Sequence, residues 1–445
     1  MKFEEMKISK ALSRALAAMH LVEPTVIQQR AFPAVMSGRD VLGIAQTGTG
    51  KTIGYLLPCL NQWKFTAGNP PQILVLVPTR ELVVQVVEVA RQLAEGTSVK
   101  CVGVFGGVGM VPQAEAVRAG ADVLVGTPGR LLDLILDGHV SLRTVKKLVV
   151  DEVDEMLDQG FRTQLGRLFD LLPRKRQNLL FSATMTAEIE SLIDTYFNSP
   201  VKIEAAPTGT PLENIRQYKF EVPNFNTKIN LLRLILTDET VFTRVLVFVG
   251  SIALADKVFE LVAPAFDNQI DYIHSKRTQS QRFGAVRNFA EGKLRILIAT
   301  DVVARGIDVA DVSHVINFDL PDEPEQYIHR IGRTGRADKE GVSFAFCSPL
   351  EQEKLAEIEA LMGKEITTVG LPAELEISDR LTDFELPTYR MRNTLVETDA
   401  TPGGAFHEKS EKNKKVNVRV SHAELMRRKY GKPITKGGNK KKPRH

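Results

Sequence analysis

The chain reads as an α/β protein: two tandem parallel-sheet domains, a short linker between them, and a basic C-terminal tail expected to be disordered. Three observations predict this. Short apolar runs alternate with helical stretches, and the series stops once and then restarts. Between the two series lies 204-EAAPTGTPLEN-214, rich in proline, glycine and threonine and poor in apolar residues, as an interdomain linker is. The length of 445 residues exceeds one ordinary domain and suits two with an extension.

In the first series the runs are 41-VLGIA-45, 73-ILVLVP-78, 99-VKCVGVFGG-107, 122-DVLVGT-127, 147-KLVVDE-152 and 178-NLLFSAT-184. Helical stretches such as 80-RELVVQVVEVARQLAEG-96 separate them. Near-continuous apolar strands alternating with helices imply a parallel sheet covered on both faces. After the linker come 216-RQYKFEV-222, 244-RVLVFVG-250, 270-IDYIHS-275, 295-RILIATDVV-303, 314-HVINFDL-320 and 341-GVSFAFC-347. The expected divisions are residues 1–206, a linker at 207–213, a second domain at 214–365, and an extension at 366–445. Beyond about Gly370 the apolar periodicity fades. From 401-TPGG-404 onward disorder is expected, with a short helix at 421-SHAELMRRKYG-431 that Ser421 caps and Gly431 ends.

Composition, with 43% apolar and 25% charged residues, is that of a soluble globular protein. Cys59, Cys101 and Cys347 are far apart and odd in number, which argues against a disulfide framework or a cysteine zinc site. They fit a reducing compartment. The opening MKFEEMKISK has no apolar h-region, and no run of eighteen apolar residues follows, so a cytoplasmic protein without a membrane partner is expected. Net charge is +4, but residues 405–445 hold 14 Lys and Arg against 3 Asp and Glu, a net of +11. The rest of the chain therefore sums to −7. A basic tail on an acidic body seeks a polyanion, most often nucleic acid; otherwise it is a solubilising end.

Two stretches carry chemistry. In 45-AQTGTGKT-52, Gly48 and Gly50 let backbone N–H groups curl around phosphate oxygens, Lys51 reaches the β/γ phosphates and Thr52 can hold Mg²⁺. Ala45 stands where the general phosphate loop begins with glycine. The other stretch is 148-LVVDEVDEM-156, with three carboxylates in four residues at a strand end. Such a run can be a solvated acidic turn, a protease cleavage site or a metal-and-water site. A phosphate loop needs acids on a neighbouring strand, which favours the last: Asp151 fixes the metal and Glu152 deprotonates the attacking water.

With these among a dozen motifs in order, residues 1 to about 365 resemble the DEAD-box ATP-dependent RNA helicases, the box here written DEVD. The resemblance implies two RecA-like domains, with ATP and Mg²⁺ as cofactors. It implies that Gln28 of 23-EPTVIQ-28 reads adenine, with Thr25 beside it and Phe3 stacking on the ring; Gln46, Thr47 and Thr49 join the phosphate loop. His20 and Leu21 stand where the family has glycine and an aromatic. Pro78, Arg80, Gly107, Thr127 and Arg130 of the first domain, and Gly250, Arg282 and Thr300 of the second, correspond to RNA-backbone contacts. Asp154, Ser182, Thr184 and His329 are the coupling residues. From 329-HRIGRTGR-336, Arg333 and Arg336 are implied arginine fingers, while Gly306 and Asp308 hold the ribose. Two departures are Val153 for the usual Ala and Ser275 for the usual Gly.

The implied activity is RNA-stimulated ATP hydrolysis coupled to domain closure, local duplex unwinding and remodelling of RNA–protein complexes. A DNA translocase, an ATP-gated RNA clamp and a structural RNA-binding protein are the rivals. A compact core with a basic tail resembles bacterial members linked to ribosome assembly or RNA decay, which makes those complexes the expected partners beside RNA itself.

Overall fold

The structure, a computed structural model, describes residues 2–45, 48–204, 215–301, 312–335, 340–382 and 385. Gln46, Thr47, Gly306, Asp308, Arg336, the expected linker, the helix at 421–431 and the basic tail lie outside these residues.

Two sheets of seven parallel strands form the frame. The first holds β1 (Val41–Ile44), β2 (Ile73–Leu76), β3 (Cys101–Val104), β4 (Val123–Gly126), β5 (Lys147–Val150), β6 (Gln177–Ser182) and β7 (Val201–Glu204). The second holds β8 (Ile215–Glu221), β9 (Val245–Val249), β10 (Ile270–Ile273), β11 (Ile296–Thr300), β12 (His314–Asn317), β13 (Gly341–Cys347) and β14 (Thr367–Val369). Their orders are β3-β4-β2-β5-β6-β1-β7 and β10-β11-β9-β12-β13-β8-β14, the same permutation twice.

Each predicted run contains a strand. The alternation of side chains builds two apolar layers in the first domain. Val41, Val75, Val123, Val149 and Leu179 face one layer; Leu42, Leu74, Leu124, Leu148 and Leu180 face the other. Each such fully buried side chain contributes about 1.5–3 kcal/mol of transfer free energy. A rigid double-layered sheet therefore holds the loops at its strand ends, where α/β proteins carry their chemistry.

Sequence reading did not anticipate β7 and β14. Both are short edge strands with mostly exposed side chains, so neither shows an apolar run. β14 pairs with β8, so the second sheet takes in residues beyond the expected edge at 365. The chain then packs Leu371 and Leu375 against the second core and runs along the helix Phe225–Leu236. Among the described residues no helix is long and apolar enough to cross a membrane.

Candidate active site and nucleic-acid interface

The phosphate loop joins β1 to the helix Lys51–Asn61. Gly48 and Gly50 have φ of 84° and 85°, a left-handed backbone that glycine adopts freely. A Cβ at Gly50 would strike the Gln28 amide. Gln28 Nε2 donates to the Gly50 carbonyl at 3.0 Å, its Oε1 accepts from Thr25 N at 3.0 Å, and the Thr25 hydroxyl donates to the Thr49 carbonyl at 2.7 Å. The pair expected to read adenine thus also braces the phosphate loop. Phe3 is buried in the first core, its amide donating to the Val22 carbonyl at 3.4 Å. His20, at the position where the family has glycine, takes a left-handed φ of 57°.

Lys51 is 6% exposed, and its Nζ has no hydrogen-bond partner. The nearest counter-charge is Asp151 Oδ1 at 3.9 Å. A buried ammonium without acceptors is costly, and phosphate oxygens supply what it lacks.

β5 delivers the acids. Asp151 Oδ1 accepts from the Glu152 amide at 2.9 Å. Glu152 takes φ 51° and ψ 51°, a strained backbone for a residue with a Cβ and a recurrent feature of functional sites. Its Oε2 is buried without a partner. Burial pushes the Glu152 carboxyl up to about 7; Lys51 and Arg333 oppose the shift, and Asp151 and Glu155 add to it. Burial likewise raises Asp151 against the pull of Lys51. Asp154 goes the other way: burial alone would raise it, but His329, Lys51, Ser182 and the Ala183 amide together hold it below the usual carboxylate range. Asp154 Oδ2 accepts from the amides of Ala183 (2.9 Å) and Thr184 (3.0 Å) and from the Thr184 hydroxyl (3.2 Å). Ser182 Oγ accepts from the Thr184 amide at 3.3 Å.

The second domain completes the site. The helix Pro324–Ile331 carries His329, whose Nδ1 lies 3.5 Å from Glu155 Oε1 of the first domain. Arg333, 5% exposed, donates from Nε to the His329 carbonyl at 3.3 Å. One small cavity is lined by Lys51, Glu152, Asp154 and Glu155 from the first domain and by His329 and Arg333 from the second. Among the described residues no group of three or more His, Cys, Asp or Glu could hold a metal alone. A Thr52 hydroxyl with one Asp151 carboxylate is the donor set of an ion that takes its remaining oxygens from phosphates and water, as Mg²⁺ does.

At the C-terminal strand ends lies the second constellation. The Thr79 hydroxyl accepts from the Leu82 amide at 3.3 Å and caps the helix Arg80–Leu93. The Arg80 guanidinium lies over Gly107, whose φ is 80° and where any Cβ would collide with it. Burial and the neighbouring Arg282 lower the Arg80 pKa; Glu81 opposes and Arg130 adds. Arg130 Nη2 donates to the Val108 carbonyl at 2.9 Å, while its Nε and Nη1 are buried without hydrogen-bond partners. Arg282 donates to Glu81 across the two domains and keeps a buried, unpartnered Nε. Pro78 and Thr127 follow β2 and β4, Thr300 ends β11, and the Gly250 amide after β9 donates to Asp319 Oδ2 at 3.0 Å.

Sequence reading passed over four residues. Tyr55, one turn after Lys51, is wholly buried against Asp151 and Thr52; its spacing of four from Lys51 was the available signal. Glu155 meets His329, and Glu81 meets Arg282. Arg330, 1% exposed, grips Asp301 through Nε and Nη2 at 2.6 and 2.7 Å, and donates from Nη1 to the Asp319 carbonyl at 2.6 Å.

Two equivalent sheets, a phosphate loop and acids on one, an arginine from the other in the same cavity, and orphan guanidinium N–H groups beside it define a two-domain nucleotide hydrolase that acts on a polyanion. The DEAD/DEAH box helicase profile matches residues 25–192 and the helicase conserved C-terminal domain profile matches residues 227–338. The chain is 38% identical over 389 residues to the ATP-dependent RNA helicase DbpA of Bacillus subtilis, covering 86% of this chain and 79% of that one. It is 38% identical over 376 residues to the ATP-dependent RNA helicase eIF4A of Eremothecium gossypii, covering 84% and 93%. The chain belongs to the DEAD-box ATP-dependent RNA helicases.

Among solved structures, Saccharomyces cerevisiae Dbp5 bound to RNA and ADP BeF3 superposes with a TM-score of 0.75 at 29% identity, covering 83% of this chain and 95% of that one. Mss116 bound to ssRNA and UDP-BeF gives 0.76 at 26% identity, covering 84% and 80%. The DEAD box protein of Methanococcus jannaschii gives only 0.51 despite 34% identity and coverage of 83% and 99%.

Proposed function

We propose that this helicase works by closing its two domains on ATP and RNA together, through the residues of the composite cavity and the strand-end loops. The observation that carries the reading is that one cavity is walled by Lys51 and Glu152 from one domain and His329 and Arg333 from the other. Lys51 and the phosphate loop, with Thr25 and Gln28 bracing it, hold the triphosphate. Thr52 and Asp151 hold Mg²⁺, which supplies charge neutralisation at the phosphates when bound. Glu152, titrating near neutrality, takes the proton of the attacking water. Arg333 meets the charge that develops on the transferred phosphoryl group, and Arg336 is proposed as its companion. Gly306 and Asp308 are proposed at the ribose.

RNA lies along Pro78, Arg80, Gly107, Thr127 and Arg130 in the first domain and Gly250, Arg282 and Thr300 in the second. The orphan N–H groups of Arg130 and Arg282 support this, because phosphate oxygens are their natural acceptors. Sugar contacts, above all to the 2′-OH, favour RNA over DNA. ATP binding, RNA binding and closure are then linked equilibria, and hydrolysis reopens the groove. Asp154, Ser182, Thr184 and His329 form the link: Asp154 is held by the β6 loop and faces His329 of the other domain. The division into domains at residues 207–213, a cytoplasmic location, a salt-sensitive contribution of the basic tail and partners in ribosome assembly or RNA decay belong to the same proposal.

The test is ATP hydrolysis by the full chain, alone, with single-stranded RNA and with matching DNA, beside Glu152→Gln. Stimulation by RNA only, lost in the variant, is the expected result. Equal stimulation by DNA points to a general translocase. ATP-dependent RNA retention without hydrolysis points to a clamp.

A further inference from the structure

Past β14 the chain does not leave the second domain. Leu371 and Leu375 pack against its core, and the segment beyond them lies along the helix Phe225–Leu236. The helix grips this segment by its main chain. Asn224 Nδ2 donates to the Ser378 carbonyl, Asn226 Nδ2 to that of Arg380 at 2.8 Å, and Asn230 Nδ2 to that of Glu376 at 2.9 Å. In return the Ser378 amide donates to the Thr227 hydroxyl at 3.0 Å. The Glu385 carboxylate closes the far end, accepting from the Phe225 amide and from the Thr382 amide and hydroxyl.

The residue after Thr227 is Lys228, 3% exposed. Its Nζ donates to the Phe318 carbonyl at 2.7 Å and to Glu351 Oε2 at 2.6 Å, and stands 3.7 Å from Asp319 Oδ1. The other oxygen of Asp319 accepts the Gly250 amide at 3.0 Å. Gly250 is one of the proposed RNA contacts. Hydrogen bonds and ion pairs, joined by the backbone between Thr227 and Lys228, therefore run from Ser378, through the first turn of the helix, to the loop after β9. A buried ammonium shared among three oxygens tolerates little movement of its helix, because each lost partner leaves a desolvated charge.

We propose that residues 371–382, with Glu385, are a positioning strap: by fixing the first turn of the Phe225–Leu236 helix they fix Lys228 and Asp319, and so hold the Gly250 amide in place for RNA. The C-terminal extension thereby governs how firmly the second domain retains RNA, without belonging to the nucleotide site. This rests on the RNA reading of Gly250 given above.

The test uses the full chain and the double variant Asn226→Ala, Asn230→Ala, which removes two grips on the strap. Hydrogen exchange is followed in peptides spanning 376–380 and 249–252, beside an RNA titration of ATP hydrolysis. The expected result is faster exchange in both peptides and a rise of about fivefold in half-saturating RNA, the effect of roughly one lost hydrogen bond, with RNA-free hydrolysis unchanged. Faster exchange at 376–380 with no change at 249–252 or in half-saturating RNA overturns the proposal, since the strap is then only a cover for Leu371 and Leu375. Asp319→Ala, which removes the acceptor of the Gly250 amide, tests the last link whatever the strap does. Loss of protection at 249–252 supports the series, and retained protection overturns it. If RNA fails to stimulate even the natural chain, the functional reading falls, while the exchange at 249–252 still reports on the strap.

Discussion

Arg282 of the second domain donates into the carboxylate of Glu81 in the first, and both side chains are buried. The two positions lie 201 residues apart, and the bond exists only while the domains are together. Arg80 and Arg130 crowd the same place, so Glu81 is the anion that lets three guanidinium groups converge there. Truncating one partner of a buried pair costs about 3–5 kcal/mol where the other stays buried. Here reopening lets Arg282 return to water, so part of that cost is relieved. For Glu81→Gln the expected outcome is an unchanged melting temperature and a loss of about tenfold in RNA affinity with a non-hydrolysable ATP analogue, roughly 1.4 kcal/mol. Unchanged affinity in that titration would remove Glu81 from the closure step.

Burial raises the Glu152 carboxyl to about 7, so kcat/KM for ATP, which reports the nucleotide-free protein, should fall about tenfold per pH unit below that value and level off above it. Glu152→Gln should be slower by about 10²–10⁴ and lack this limb. Stability moves the opposite way. The folded pKa lies above the unfolded value of about 4.3, so the protonated acid stabilises the native state at low pH, and that contribution is lost as pH rises through about 7. Without nucleotide, Glu152→Gln should therefore be more stable than the natural chain near pH 8, by on the order of 1–3 kcal/mol, with the gap narrowing toward pH 5. Thermal melts across that range check it.

Val153 is fully buried directly after the strained Glu152 and packs in the second layer of the first core. Val153→Ala removes two methyl groups and should cost about 2 kcal/mol of stability. Turnover should change by less than about tenfold, since Asp151, Glu152 and Asp154 remain. A hundredfold rise in turnover would contradict the view that Val is well accommodated in the box.

Gly107→Ala places a methyl where the Arg80 guanidinium lies, on a backbone of φ 80°. Displacing Arg80 should raise half-saturating RNA about tenfold and leave ATP affinity alone. Gly106→Ala is the control, because nothing lies within 4 Å of a Cβ there. If both variants bind RNA alike, the packing of Arg80 on Gly107 has no part in the groove.

Much of this molecule is legible in its sequence because buried parallel strands must be apolar and phosphate loops must have glycine. The runs at 41–45, 73–78 and 147–152 mark β1, β2 and β5, and their ends place Lys51 and Glu152. Three kinds of feature are not legible. The edge strands β7 and β14 expose most of their side chains, so periodicity misses them. The Glu81–Arg282 pair joins residues that read, one by one, as a helix-start acid and a backbone contact. The strap, residues 371–382 with Glu385, is gripped by the helix through its own carbonyls and the Ser378 amide, which leave no mark on residue choice; the asparagines and Thr227 that grip it lie on another element.

The second sheet repeats the strand order of the first, β8 standing for β1, β9 for β2 and β11 for β4. The candidate RNA contacts fall on matching strands: Pro78 and Gly250 follow β2 and β9, while Thr127 and Thr300 mark the ends of β4 and β11. The strand that feeds the phosphate loop, β1, has a counterpart in β8 that passes through residues 222–224, without a glycine, into the helix Phe225–Leu236. The molecule is therefore a vice with two like jaws and a single screw. Both jaws carry candidate contacts to the strand at matching places, but only one carries the phosphate loop. On the proposed reading, each ATP closes the jaws once, and its hydrolysis frees them.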